Sequence, residues 1–512
     1  MAHERLLILD YGSQYTQLIA RRTRELGVLA EIRRFNVSAE EIGALHPKAI
    51  ILSGGPASVF DPGAPQLNQA VLTADVPVLG ICYGMQLLAK YLGGSVRQSA
   101  SREYGVAKLT IQKPNTLFAG LPGNSQVWAS HGDDVVSLPD DFRLIGKTNS
   151  GVLAAAENAS RKLYLIQFHP EVVQTEFGKE ILKNFLFTIA GFTGDWTMAA
   201  VVSELIHKIK AQVGTSKVIC ALSGGVDSSV VAALLHRAVP GQVHAVFVDH
   251  GLLRLNEAEQ VAESMKAIIG DELVVVDARQ KFLRALKGVT DPEAKRKIIG
   301  RMFIEVFDNQ AKKLGGADFL AQGTLYPDVI ESSAVGGPSV TIKSHHNVGG
   351  LPAAMKMKLV EPLRELFKDE VRALGRLLGL PEAIVGRHPF PGPGLAVRIL
   401  GPVTESALVT LAQVDNIFIE ELRRAGWYDK TWQAFAVLLP IRTVGVMGDG
   451  RTYDQVIALR AVTSTDGMTA DWVHLPADLL TRVSSRITNE VLGVSRVVYD
   501  ISSKPPATIE WE

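Results

Sequence analysis

The sequence predicts an α/β fold: two parallel-sheet α/β domains, residues 1–194 and 195–387, followed by a smaller α+β domain over 388–512. Three observations predict it. Short apolar runs alternate with amphipathic stretches through the first two thirds of the chain, the pattern of parallel strands joined by crossover helices. The series of runs starts afresh after a turn-rich segment, Gly191-Phe-Thr-Gly-Asp195. A third part follows His388-Pro-Phe-Pro-Gly-Pro-Gly394, a segment that neither a helix nor a central strand tolerates. A chain of 512 residues is long enough for about three domains at ~150 residues each.

Each element has its own signal. Leu6–Leu9, Ala49–Leu52, Val76–Ile81 and Leu163–Phe168 are apolar throughout, as strands buried on both faces must be. Asp195, an N-cap type of residue, precedes an amphipathic helix expected over Thr197–Gln212. The second series comprises Lys217–Leu222, Val243–Val248 and Leu273–Val276. In the third part the pattern predicts a helix over Thr404–Ala425 and strands over Ala434–Leu439, Val491–Tyr499 and Thr508–Trp511.

Composition excludes several classes. Lys plus Arg number 53 and Asp plus Glu number 53, so no polyelectrolyte partner such as nucleic acid is expected. No run approaches the ~20 apolar residues that span a bilayer, so no membrane partner is expected either. The first residues lead straight into a strand without the features of a secretory leader. Cys82 and Cys220 are too few for a disulfide framework, and the chain reads as cytoplasmic.

Gly80-Ile81-Cys82-Tyr83-Gly84 ends one apolar run and opens a helix expected to start around Met85. It is the cysteine counterpart of the Gly-x-Ser-x-Gly elbow, in which a tight turn lifts a nucleophile clear of the sheet. A helix N-terminus beside the sulfur favours thiolate over thiol. A base and its orienter follow at the end of another run, His169 and Glu171, whose i and i+2 spacing puts them on one face of a strand. The loop Ser53-Gly-Gly-Pro56 ends a third run, and the backbone N–H groups of Gly55 and Tyr83 are the candidate oxyanion donors. Read singly, Cys82 is a small buried hydrophobe and His169 a structural histidine; their shared frame is what favours catalysis.

The run Lys217–Leu222 opens into Ser223-Gly224-Gly225-Val226-Asp227-Ser228-Ser229, a loop whose glycines let N–H groups turn toward phosphate oxygens at a helix start. No lysine occupies the position it holds in a Walker A loop, so the pattern points to cleavage of ATP to AMP and pyrophosphate. Asp227 is the candidate metal ligand, for magnesium (Mg2+) with ATP. Asp249 ends the next strand, where a nucleotide could sit. Cys220, within the strand, reads as core. Downstream, Asp328 and Glu331 lie in a polar loop, Ser332–Thr341 reads as a lid, and Lys343 could neutralise phosphate as it closes. His345 and His346 lack zinc-type spacing, and adjacent strand residues point apart, so a metal site there is not expected.

Asp10-Tyr-Gly-Ser-Gln14, Ser53–Pro56, Gly80–Gly84 with Gln86, Arg102-Glu-Tyr-Gly105, Ser130-His-Gly-Asp133 and Gln167-Phe-His-Pro-Glu171 together resemble a class I glutamine amidotransferase over roughly residues 5–190. That resemblance implies a Cys82 thioester with glutamine, release of ammonia, and a glutamine site lined by Gln86 and Ser130–Asp133. Gly386–Gly394, Gln433–Ile441, Gly445–Arg451 and Lys504–Glu512 extend the resemblance to the glutamine-hydrolysing GMP synthase family along the whole chain. It implies XMP as acceptor, adenylylated at its C2 oxygen before ammonia displaces AMP. It also implies XMP contacts at Gln433, Arg442, Lys504 and Glu510, and a homodimer joined through the C-terminal domain. Three alternatives stand beside it. One is another adenylating amidotransferase with a different acceptor, such as an NAD synthetase, whose nitrilase-like half lacks the Cys82 elbow. Another is an RNA-thiolating enzyme, against which the charge balance speaks. The last is a nucleotide-sensing scaffold, against which the intact motifs speak.

Overall fold

In the computed structural model, which describes residues 3–112, 115–333, 357–447, 450–464 and 469–512, the fold is of the mixed α/β class, with two units, Met1–Val201 and Val202–Glu512. In the first unit the described residues form a nine-stranded sheet. Its strands are β1 (Arg5–Asp10), β2 (Leu29–Arg34), β3 (Ala49–Leu52), β4 (Val78–Ile81), β5 (Ser95–Ile111), β6 (Asn124–Ser137), β7 (Arg143–Thr148), β8 (Leu153–Asn158) and β9 (Leu163–Ile166). They lie in the order β2-β1-β3-β4-β9-β8-β7-β5-β6. The half from β2 to β9 is parallel, and its central strands are buried at every position, as their unbroken apolar runs require. The half from β8 to β6 is antiparallel and extends the sheet beyond the expected strands. Along β6, burial alternates, which marks a strand with one face in solvent and gives it no continuous apolar run.

Neighbours β3, β4 and β9 pair in register, Leu52 with Gly80 and Ile81 with Ile166. Parallel strands end on the same side, so the segments after residues 52, 81 and 166 emerge side by side. Sheet topology therefore collects three motifs that are far apart in the chain.

The second unit holds a five-stranded parallel sheet in the order β12-β11-β10-β13-β14. Its strands are β10 (Val218–Leu222), β11 (Val243–Asp249), β12 (Leu273–Asp277), β13 (Phe319–Ala321) and β14 (Lys358–Val360). A second, four-stranded sheet contains β15 (Gln433–Met447), β16 (Gly450–Thr463), β17 (Asp471–Trp472) and β18 (Val494–Tyr499), with β16 antiparallel to β15 and β17 and parallel to β18. The expected helices form at Met198–Val213 and Glu405–Arg424. Thr197, not Asp195, caps the first: its Oγ1 accepts the Ala200 N–H at 3.3 Å, while Asp195 accepts the Glu4 N–H at 3.1 Å.

Thr508–Trp511 is not a strand. Its backbone is held by side chains instead of a ladder. Arg460, fully buried, donates to the carbonyls of Ser502, Thr508 and Ile509 at 2.8–3.0 Å and pairs with Asp500 at 2.8 Å. A cation that satisfies these carbonyls removes the need for a neighbouring strand. Lys295, also fully buried, holds Glu512 Oε2 at 2.6 Å. Replacing Arg460 with Ala strands a carboxylate and three carbonyls, and we expect a loss of about 3–5 kcal/mol. Urea unfolding of the full chain checks this, and an unchanged midpoint would mean that the tail contacts contribute nothing to stability.

Candidate active sites

Cys82 occupies a strained backbone conformation, φ +52° and ψ −105°, at the end of β4. Its N–H donates to the Ile166 carbonyl on β9 at 2.8 Å, and the helix Tyr83–Tyr91 starts directly after it, two residues earlier than expected. Gly84 must be glycine: a Cβ there would stand 2.6 Å from the Leu52 carbonyl oxygen on β3. Crowding between β3 and β4 thus accounts for the glycine frame of the elbow. Cys82 is buried, with Sγ 3.7 Å from the Ser130 carbonyl and 3.9 Å from Gln167 Nε2.

His169 and Glu171 meet, Nδ1 to Oε1 at 2.7 Å, with both side chains buried. The strand-face argument for that meeting fails, because β9 ends at Ile166 and both residues lie beyond it. A turn brings them together, fixed by the bond from the His169 N–H to the Trp128 carbonyl at 3.0 Å. Burial opposes the imidazolium, but the Glu171 carboxylate and the Cys82 sulfur outweigh it and hold His169 well above its ordinary range. Gly54 packs against both residues: a Cβ there would sit 3.1 Å from His169 Cε1 and 3.6 Å from Cys82 Cβ. The N–H groups of Gly55 and Tyr83 donate to no acceptor among the described residues. Gln86 is buried and gives its amide N–H to the Asp133 carbonyl at 2.9 Å, bracing β6. The Asp133 carboxylate turns to Ser58 Oγ at 2.7 Å and the Val59 N–H at 3.1 Å.

One group near the thiol escaped the sequence reading as a side chain. His131, buried, stands between Glu103 at 3.1 Å and Asp134 at 3.3 Å. Pairing of β5 with β6 sets Glu103 opposite His131, a register no local pattern announces. Burial pulls the imidazole down, yet Asp134 and Glu103 prevail and raise it from 6.5 to about 9. A raised folded-state value stabilises fully below the unfolded value of 6.5, and that contribution is lost as pH rises through about 9. We expect the first unit to lose thermal stability over that window, and His131→Asn to flatten the dependence. Melting curves from about pH 6 to about pH 10 on both proteins check it.

At the second candidate site, Gly225 is the N-cap of the helix Val226–Ala238 and Gly224 has φ +78°. The serines fasten the loop to itself. Ser228 Oγ accepts the Ser223 N–H at 3.1 Å, and the Ser228 and Ser229 hydroxyls donate to the Gly225 carbonyl at 3.1 and 2.9 Å. Asp227 Oδ2 pairs with Lys368 Nζ, whereas its buried Oδ1 has no partner among the described residues. An orphaned carboxylate oxygen at a helix start fits a divalent cation. Lys368, 141 residues away, supplies a cation the loop itself lacks. Asp249 ends β11, its Oδ1 accepting the Gly251 N–H at 2.9 Å and its Oδ2 3.5 Å from Arg279.

Asp328 and Glu331 lie on a helix, Tyr326–Ser333, and not in the expected loop, and the helix takes in Ser332 and Ser333 from the expected lid. Asp328 accepts the Leu325 N–H at 3.1 Å and so caps that helix. The Glu331 side chain lies outside the described residues, as do Lys343, His345, His346 and the expected lid beyond Ser333. Cys220 is core, and burial pushes its thiol up to about 12. Of the expected acceptor contacts, Gln433 and Glu510 are brought together, Nε2 to Oε1 at 2.6 Å, and Arg398 grips Glu510 at 2.9 and 3.1 Å. Arg442 lies past the irregularity of β15, exposed, on the Tyr453 carbonyl at 3.3 Å. The Lys504 backbone bridges to Ala470.

With this geometry in place, comparison with known proteins gives three family matches. Residues 7–189 match Glutamine amidotransferase class-I, residues 203–291 match Asparagine synthase, and residues 420–511 match GMP synthase C terminal domain. The chain is 59% identical over its whole length to a Rhodopseudomonas palustris protein named GMP synthase (glutamine-hydrolyzing), covering 95% of that protein. Proteins of the same name from Nitratidesulfovibrio vulgaris and Carboxydothermus hydrogenoformans are 57% and 58% identical, with 100% and 99% of each covered. The chain itself is covered over 100% and 99% in those two alignments.

Proposed function

The chain belongs to the glutamine-hydrolysing GMP synthase family, and from that premise we propose how its residues divide the work. It is a ligase that forms a C–N bond with glutamine as amide donor, converting XMP to GMP at the expense of ATP. Glutamine is hydrolysed to ammonia, ATP adenylylates the XMP C2 oxygen with release of pyrophosphate, and ammonia displaces AMP.

In our reading, Cys82 Sγ attacks the glutamine carboxamide carbon, and the Gly55 and Tyr83 N–H groups receive the oxyanion. His169 delivers a proton to the departing ammonia and takes one from the water that opens the thioester, with Glu171 holding Nδ1. Gln86 holds the Ser130–Asp133 segment that lines the glutamine site. The strained elbow, the buried His169–Glu171 pair and the two undonated N–H groups support these roles.

Residues 223–229 form the cradle for the ATP phosphates, with Asp249 beside the nucleotide and Asp328 contributing from the helix Tyr326–Ser333. Magnesium bound with ATP would be held through Asp227 and would neutralise phosphate charge. The partnerless Asp227 Oδ1 supports that role, and Lys368 adds a second positive group. Gln433, Arg442, Lys504 and Glu510 receive XMP. The three-domain division at 194 and 387, a homodimer through residues 388–512 and a cytoplasmic location complete the reading. Exposed Ile441, Val444, Val446 and Tyr453 on the β15–β16 hairpin support an interface there. Among the described residues no helix is long and apolar enough to cross a membrane.

The observation that carries most is the presence, in one chain, of a strained buried cysteine near a His–Glu pair and a phosphate cradle with an orphaned carboxylate oxygen. Incubation with magnesium-ATP, XMP and glutamine, with nucleotides resolved by chromatography, tests it. GMP and AMP should appear in equal amounts. AMP formation only with a different acceptor would overturn XMP as substrate.

A further inference from the structure

A series of alternating charges, with Glu257, Asp415 and Arg398 buried and Arg387, Arg254 and Glu510 half-buried, runs from the phosphate loop to the C-terminal tail. Arg387 Nη1 donates to the Gly224 carbonyl at 2.8 Å, and Arg387 Nη2 pairs with Glu257 Oε1. Glu257, 3% exposed, uses its other oxygen to accept the Arg254 N–H at 2.7 Å. The Arg254 side chain continues the series, with Nε 3.2 Å from Asp415 Oδ2 and Nη2 on the Ala434 carbonyl at 3.1 Å. Asp415 accepts the Ala436 N–H at 3.0 Å and lies 4.0 Å from Arg398 Nη1. Arg398 holds Glu510, which Gln433 also reaches.

Stability is a poor reason for such a series. Taking ions out of water consumes most of what their attraction returns, and apolar replacements of like volume often serve the fold as well. Position is the better reason. A loop that offers N–H groups to phosphate must turn its carbonyls away, and Arg387 holds the Gly224 carbonyl in that orientation. Each arginine is shared between a backbone carbonyl or carboxylate on one side and a carboxylate on the other. A shift of the loop therefore alters which charges face one another down to Glu510.

We propose that Arg387, Glu257 and Arg254 are positioning residues that make binding at the phosphate loop and binding at Gln433–Glu510 energetically dependent on each other. The proposal rests on the functional reading above, with ATP at 223–229 and XMP at 433 and 510.

The test uses the full chain and calorimetric titration with the α,β-methylene analogue of ATP plus magnesium, with and without XMP. In the unaltered protein XMP should tighten the analogue by at least ~5-fold, and the analogue should tighten XMP by the same factor, as linkage demands. Glu257→Gln and Arg254→Lys should bring both factors toward one while each ligand still binds alone. Arg254 touches neither the loop nor the tail, so this split separates a positioning role from a merely structural one. If either variant fails to fold, the other and Arg387→Lys carry the same expectation. Factors of one in the unaltered protein, or unchanged factors in folded variants, would overturn the proposal. Absence of any binding of XMP or the analogue to the unaltered protein would overturn the functional reading and this inference together.

Discussion

Cys82→Ala should abolish glutamine-dependent GMP formation, by at least about a thousandfold, while ammonia-dependent formation stays within about twofold of the unaltered protein. The asymmetry follows from where the chemistry sits. Alanine removes the sulfur that attacks the carboxamide but leaves the His169–Glu171 contact and the elbow backbone otherwise occupied by a residue of similar bulk. Free ammonia needs no nucleophile on the protein. The phosphate loop belongs to the other unit, Val202–Glu512, and none of its bonds passes through Cys82. Parallel assays with glutamine and with ammonium chloride at mildly alkaline pH measure the ratio. Equal loss of both activities would refute the division into two sites.

Asp227→Asn should depress ATP turnover by about a hundred- to a thousandfold with either nitrogen source, the scale seen when one preorganised charge-stabilising group is removed. The substitution keeps the shape of the side chain and removes its charge. That distinguishes the partnerless Oδ1, which the proposal gives to a cation, from a carboxylate that merely favours a helix start. Lys368 would also lose its anionic partner, leaving an excess of positive charge that phosphate could still use. Pyrophosphate release, followed with ammonia as donor, reports the step without involving Cys82. Normal release in this variant would remove Asp227 from the ATP site.

Much of this was legible in the sequence because the informative signals are local. The glycines around Cys82 and the run Ser223–Ser229 each encode a turn and a helix start, and both turns form, with the helices beginning slightly early, at Tyr83 and at Val226 within the run. Buried parallel strands advertise themselves as unbroken apolar runs. What stayed hidden depends on strand register or on long separations. His131 meets Glu103 through the β5–β6 pairing, Lys368 reaches Asp227 across 141 residues, and Arg387 reaches Gly224 across 163. The His169–Glu171 pair was anticipated for a reason that fails, since a turn and not a strand face joins them. The tail misled for the opposite cause: Thr508–Trp511 alternates like a strand, but Arg460 takes the carbonyls a neighbouring strand would have used.

The backbone at Cys82 has a consequence for how this protein can change over time. An L-residue held at φ +52° stores roughly 1 kcal/mol or more that glycine would release, so Cys82→Gly should yield a chain that melts higher and hydrolyses no glutamine. Differential scanning calorimetry beside a glutaminase assay would show both effects in one variant. Selection for thermal robustness and selection for turnover therefore pull in opposite directions at this position. A lineage released from the need for glutamine would be expected to drift toward the sturdier, inert residue.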